Sequence, residues 1–173
     1  MYLKNISLIG FMGSGKSTIG KVIAENLNYL FIDIDKIIEY INGLSVNEIF
    51  KNYGESYFRI TENEIISKAY YNKNCVFACG GGAFNNEENI KIIRQNSCVV
   101  YLAITEEEAY ERLKDTKDRP ILLVGGDLKQ RIKDIMGQRL NVYSNNCDLK
   151  IDTKEKTPSA IKDEIMAYLN LYQ

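Results

Sequence analysis

GFMGSGKSTIG, from Gly10 to Gly20, places three glycines ahead of Lys16, Ser17 and Thr18, directly after the apolar-rich run Ile6–Ile9. The spacing of Gly10, Gly15, Lys16 and Ser17 fits G-x-x-x-x-G-K-[ST], the pattern of a phosphate-binding loop, or P-loop. A polyphosphate needs many donors pointing inward, and side chains would block the backbone's approach. Glycine removes the side chain and permits positive φ. Backbone N–H groups along Gly13, Ser14, Gly15, Lys16, Ser17 and Thr18, at the N-terminus of the following helix, then face the anion. Lys16 adds a mobile positive charge near the β- and γ-phosphates, and Ser17 offers a hydroxyl to Mg²⁺. Such a loop needs a strand before it and a helix after it. KNISLI is a short strand candidate, and KSTIGKVIAENL sets Ile19, Val22, Ile23 and Leu27 at helical spacing.

Working outward, strand patterns lie at about 4–9, 30–34, 75–79, 97–102 and 148–152. Helical patterns lie between and after them, at about 16–27, 35–51, 55–72, 86–95, 105–114, 127–142 and 158–171. This alternation predicts a three-layer α/β fold with a parallel sheet, in a chain of 173 residues that reads as a single domain, 1–173. Ligands in such sheets bind at the C-terminal ends of the strands. The P-loop, Asp33, Asp35 and the triple glycine Gly80–Gly82 all fall there. KDTKDRPILLVGGD is charged, carries one of only 2 prolines, and ends in paired glycines. It reads as a mobile flap, a lid over about 113–125.

Composition excludes several classes. With 22 basic against 23 acidic residues, net charge −1, there is no general case for nucleic acid or an anionic membrane as partner. With no histidine in the chain, none can serve as base or metal ligand. Three of the 4 cysteines lie in or beside apolar strand-like runs, and C-x-x-x-C at Cys75 and Cys79 is weak as a metal site. A reduced cytoplasmic location fits, with no signal peptide and no stretch long enough to span a membrane. A monomer is expected, although no residue pattern reads out oligomeric state.

A P-loop names a phosphate binder, not a reaction. FIDID ends strand two with Asp33 and Asp35. Asp33, nearer the strand body, is a candidate to hold Mg²⁺ near Ser17. Asp35, further out, can meet an acceptor hydroxyl and accept its proton, or it can cap the next helix. Arg59 either binds an anion or pairs with Glu55 or Glu62 at helical spacing. Gly80, Gly81 and Gly82 allow close approach of a small ligand, or simply turn the chain. Arg119 in the flap and Arg139 late in a helix complete the set. A substrate carboxylate wants planar, bidentate partners, which arginine supplies.

GFMGSGKST, FIDID, GESYFR, CGGGA, DRPILL and RLNVY, in this order and spacing from Leu8 to about Pro158, resemble the shikimate kinase family. The resemblance implies a fold like the nucleoside monophosphate kinases, with five parallel strands in the order 2-3-1-4-5. It also implies Mg²⁺-dependent transfer of the ATP γ-phosphate to the 3-hydroxyl of shikimate. In that reading Asp35 holds the ring hydroxyls, and acceptor-binding helices span about 35–72. Arg59 and Arg139 bind the carboxylate, Gly80, Gly81 and Gly82 line the pocket, and Arg119 swings in with the lid. Asp33 and Ser17 serve Mg²⁺, and Arg112 packs near adenine. Three departures bear on affinity and rate: Cys79 stands where the family has threonine, Gln138 where it has glutamate, and RLNVYSNNCD lacks the usual proline. A gluconate-kinase-like enzyme would share the P-loop and acceptor aspartate without needing two arginines for a carboxylate. A non-catalytic nucleotide-binding relative is argued against by intact Lys16, Asp33, Asp35 and Arg119. A GTPase would carry N-K-x-D, but Asn72–Lys73 is followed by Asn74 and Cys75, a turn before strand three.

Overall fold

A computed structural model describes residues 5–116 and 127–171. Five parallel strands form one sheet in the order β2-β3-β1-β4-β5, as the resemblance implied. They are β1 (Asn5–Ile9), β2 (Leu30–Asp33), β3 (Cys75–Ala78), β4 (Ser97–Ala103) and β5 (Leu149–Asp152). The helices are α1 (Lys16–Leu27), α2 (Ile34–Asn42), α3 (Val46–Ala69), α4 (Glu87–Asn96), α5 (Glu106–Leu113), α6 (Leu128–Asn145) and α7 (Pro158–Leu171). A 3₁₀ turn at Ala83–Asn85 follows the triple glycine.

The central strands are short and buried because helices cover both of their faces. Side chains alternate across the sheet with period two. On one face Ile6, Leu8, Val76, Val100 and Leu102 pack on Ile19 and Ile23 of α1 and Ile161 and Ile165 of α7. On the other Ile9, Phe77, Val99 and Tyr101 meet Ile38 of α2, Phe58 and Ile66 of α3, Ile93 of α4 and Tyr143 of α6. A third cluster joins Phe11 and Met12 of the P-loop to α5 and α6 through Ala109, Leu113, Ile132 and Met136. The loop is thus clamped by apolar packing next to the residues that would meet a ligand. No helix among the described residues is long and apolar enough to cross a membrane.

Two predicted boundaries differ. The helical pattern over 35–51 is two helices. Gly43 adopts the left-handed conformation (φ 64°) and closes α2. Ser45 then opens α3 with a capping box: its side chain accepts from the Glu48 N–H at 3.3 Å, and Glu48 Oε2 accepts from the Ser45 N–H at 2.8 Å. The expected gap before residue 55 is instead a kink within α3, where Gly54 has φ 81° and ψ 171°. Asp35 also moves: β2 stops at Asp33, so Asp35 lies in the first turn of α2 rather than at the strand end. Asp33, not Asp35, caps that helix, accepting from the Lys36 N–H at 3.3 Å.

Ser45→Ala removes the reciprocal cap and is expected to lower Tm by about 2–4 °C, a typical capping loss spread over a chain of this size. Thermal melting followed by circular dichroism reads this directly. The Ser45 hydrogen bonds also hold the Glu48 carboxyl below its ordinary range. That contribution is therefore present at neutral pH and is lost as pH falls through the lowered pKa. The Tm gap between wild type and variant should shrink in acid.

Candidate active site

The P-loop leaves β1 at Ile9 and turns through Gly10 (φ 144°), Gly13 (φ 79°) and Gly15 (φ 87°) before entering α1. A Cβ on Gly10 would sit 2.5 Å from the Leu102 carbonyl oxygen, so the loop can lie against β4 only with glycine there. Gly15 occupies the N-cap of α1, and no side chain makes a capping hydrogen bond there. The first-turn N–H groups therefore face outward as an anion site. Lys16 Nζ donates to the carbonyls of Gly10 and Phe11, each at 2.9 Å, which folds it back over the loop. Ser14 is buried within the loop, and Thr18 is exposed at the start of α1. Ser17 Oγ donates to Asp33 Oδ2 at 2.6 Å, bringing together the two oxygens nominated for a metal. Arg112, from α5, donates to the Gly13 carbonyl at 2.8 Å and so braces the loop's outer side.

Two cavities meet above the sheet's C-terminal edge. One is lined by Gly13, Gly15, Lys16, Ser17, Thr18 and Asp33. The other is lined by Phe58, Arg59, Gly80, Gly82 and Arg139. Met12, Asp35, Val46 and Gly81 border both. Asp35 thus stands where the contents of one cavity would touch those of the other.

The second cavity is built around two arginines. Arg59 Nη1 donates to Glu62 Oε2 at 2.7 Å, and its Nε and Nη2 reach Glu55 Oε1 at 3.2 and 3.1 Å. Both partnerships anticipated from helical spacing exist, and the arginine still borders the cavity. Its guanidinium also lies over the Phe58 ring, 5.1 Å from the centroid. Glu62 is fully buried, and its Oε1 has no hydrogen-bond partner among the described residues. Burial lifts the Glu62 carboxyl above its ordinary range, Arg59 pulls it back, and Asp35 pushes it up again. Arg139 is only 4 % exposed, and it forms no salt bridge among the described residues. Its charge helps to lower the buried Glu62 carboxyl, but no carboxylate among the described residues lies within ion-pair distance of it.

The triple glycine lets these side chains crowd the backbone. A Cβ at Gly80 would fall 2.5 Å from Glu62 Oε1 and 2.7 Å from Asp35 Oδ1, and one at Gly82 would overlap the Arg59 guanidinium. None of the three has positive φ. Their glycine identity is set by close approach, although the chain also turns there, with the Ala83 N–H bonded to the Gly80 carbonyl at 3.0 Å.

Arg119, Pro120 and most of the 113–125 flap lie outside the described residues. Of the departures, Gln138 is on the exposed side of α6, while Cys79 is buried with its Sγ 3.4 Å from the Tyr70 hydroxyl. Burial pushes the Cys79 thiol up to about 12, which leaves it inert. Sequence reading treated Glu62 only as a helical partner and did not single out Tyr143, whose hydroxyl donates to the Gly81 carbonyl. Helical spacing pairs Glu62 with Arg59, and Tyr143 closes RLNVY, but the burial of Glu62 and the contact of Tyr143 with Gly81 come from packing between elements far apart in the chain.

The family model for shikimate kinase matches residues 12–170. A shikimate kinase from Sulfurihydrogenibium sp. is 42% identical over 164 residues, covering 95% of this chain and 96% of the relative. One from Caldanaerobacter subterraneus is 41% identical over 170 residues, 98% of each chain. The crystallised shikimate kinase of Acinetobacter baumannii, in complex with shikimate, superposes with a TM-score of 0.95 at 32% identity, covering 99% of this chain and 95% of that one. With a family match across nearly its whole length and relatives above 40% identity, the chain belongs to the shikimate kinase family.

Proposed function

We propose that this protein transfers the γ-phosphoryl group of ATP to the 3-hydroxyl of shikimate, giving shikimate 3-phosphate and ADP. One observation carries the reading beyond family membership. The P-loop cavity and a cavity holding a buried arginine without a salt bridge among the described residues adjoin at a single carboxylate, Asp35. A phosphate donor, a carboxylate-bearing acceptor and the group that handles the acceptor's hydroxyl are all provided for.

In this mechanism the N–H groups from Gly13 to Thr18 cradle the ATP phosphates. Lys16 exchanges its loop carbonyls for β- and γ-phosphate oxygens. Arg112 stays against the loop and packs beside adenine. Ser17 and Asp33 present hard oxygen donors 2.6 Å apart, a set that suits Mg²⁺. When bound, the ion neutralises charge on the β- and γ-phosphates. Arg59 and Arg139 hold the shikimate carboxylate, and Gly80, Gly81 and Gly82 let the ring lie close to the backbone. Asp35 accepts a hydrogen bond from the 3-hydroxyl. As the new O–P bond forms and the β–γ bridge breaks, the hydroxyl proton passes to Asp35 or to solvent, and ADP keeps the bridging oxygen. Arg119 and the 113–125 lid would add positive charge at the moving phosphoryl group and exclude water. We place the enzyme in the cytoplasm as a single-domain monomer, with small-molecule partners only.

The test is ADP release from Mg-ATP with shikimate, gluconate, a nucleoside monophosphate or no acceptor, with the phosphorylated carbon located by ³¹P and ¹H NMR. A large rate rise with shikimate alone, and phosphate on the 3-oxygen, is expected. Equal rates in every reaction would overturn the acceptor assignment while leaving the P-loop as a nucleotide site.

A further inference from the structure

We infer that Tyr70 and Cys79 are positioning residues for the acceptor pocket: their hydrogen bond ties the end of α3, which carries Arg59, to the strand exit that leads into the triple glycine. This rests on the acceptor reading given above.

The bond is the last link of a buried chain. Ser97 Oγ donates to the Ile93 carbonyl at 2.7 Å, and Ser7 Oγ donates to Ser97 Oγ at 2.7 Å. The Tyr70 hydroxyl lies 2.7 Å from Ser7 Oγ, and Cys79 Sγ lies 3.4 Å from the Tyr70 hydroxyl. Each of these groups has one proton to give. Ser97 spends its proton on a carbonyl and Ser7 spends its own on Ser97. Tyr70 must then donate to Ser7, and the Cys79 thiol to Tyr70. All of these side chains are buried. Burial pushes the phenol and the thiol up, the thiol to about 12, so both protons stay in place at neutral pH. The Tyr70 ring stacks on Phe77 of β3, with centroids 4.0 Å apart and planes 15° from parallel, so packing aims its hydroxyl.

Arg59 and Glu62 sit on α3, and Gly80, Gly81 and Gly82 follow β3. Where they meet there is no slack. A Cβ at Gly80 would fall 2.5 Å from Glu62 Oε1, and one at Gly82 would overlap the Arg59 guanidinium. Tyr70 is the C-cap of α3. Cys79 directly precedes Gly80, and its N–H donates to the Leu8 carbonyl at 3.1 Å. The tie therefore sets where α3 lies along β3, and Ser7 and Ser97 refer that setting to β1 and β4. Without the donor at position 79, α3 is held less tightly against the glycines, and the guanidinium loses its preset place for a planar anion.

The experiment compares Cys79→Thr with Cys79→Val, which have nearly the same shape and differ by a donor. Each is made alone and together with Tyr70→Phe, which keeps the stacked ring. The shikimate KM, the ATP KM, kcat and Tm are read for each and for wild type. Cys79→Val is expected to have a shikimate KM about fivefold above that of Cys79→Thr, in line with one hydrogen bond. Tyr70→Phe alone should raise the shikimate KM by a similar factor, with the ATP KM within about twofold throughout. Beside Tyr70→Phe the two Cys79 variants should converge, because the donor has lost its acceptor. Equal shikimate KM values for the two Cys79 variants alone would overturn the inference. So would a difference between them that persists beside Tyr70→Phe, or equal losses for shikimate and ATP, which would make the pair a packing feature. If Tyr70→Phe does not fold, the two Cys79 variants alone decide. A wild type that does not phosphorylate shikimate overturns the acceptor reading and this inference with it, whereas an active wild type with a failed comparison overturns this inference only.

Discussion

Lys16→Ala should lower kcat by about a thousandfold while leaving the protein folded. The expected loss is that of a preorganised cation aimed at charge that develops in the transition state, worth about 10²–10³-fold for a single donor and more where phosphoryl charge is concentrated. The fold should survive because the bonds of Lys16 to the Gly10 and Phe11 carbonyls lie beside an open cavity. Those carbonyls can turn to water, and the apolar clamp through Phe11 and Met12 is untouched. ADP release at saturating substrates and a melting curve on the same preparation check both halves. Wild-type turnover in the variant would remove the phosphate role of the loop, and a collapsed melting transition would move Lys16 from chemistry to structure.

Arg139→Met should raise the shikimate KM by about a hundredfold and the ATP KM hardly at all. Truncating one side of a buried charge pair costs about 2–5 kcal/mol, because the other charge is left without its partner. Methionine keeps the length and much of the volume of the buried stem, so the contacts to α6's neighbours persist. Stability should change far less than affinity. The free protein holds Arg139 at 4 % exposure, with no salt bridge among the described residues. Replacing the cation relieves a desolvation cost but also removes a charge that helps to hold the buried Glu62 carboxyl down, so Tm should stay within a few degrees. A variant that binds shikimate as wild type does, or loses shikimate and ATP together, would show that the guanidinium does not hold the acceptor's carboxylate.

Much of this was legible in the residues because it is local. The P-loop needs only glycines and a lysine at fixed spacing. The strand and helix alternation needs only periodicity, and it placed the five strands to within one or two residues. The break between α2 and α3 was also written locally, as Gly43 followed by Ser45-x-x-Glu48, but the helical periodicity of the flanking isoleucines outweighed it. D-x-D suits either a strand end or a helix start, so Asp35 falls both at the end of FIDID and at the start of the 35–51 helical pattern. The Asp33 side chain decides between them by bonding the Lys36 N–H.

The sequence by itself determined the phosphate loop, the parallel α/β class and the residue types an anionic acceptor would need. Only the tertiary structure decided which of those residues share a cavity and how they are held. Arg59, Asp35, Gly80 and Arg139 come from four elements, and their meeting depends on the strand order and on α3 and α6 packing toward the same sheet edge. Glu62 pairs with Arg59 three residues away on its own helix, but its full burial, and the contact of Tyr143 with Gly81, arise only there. Spacing along a chain fixes which groups share a helix face. Burial and counter-charge are properties of the space between elements, and the energy of a charged group depends on them.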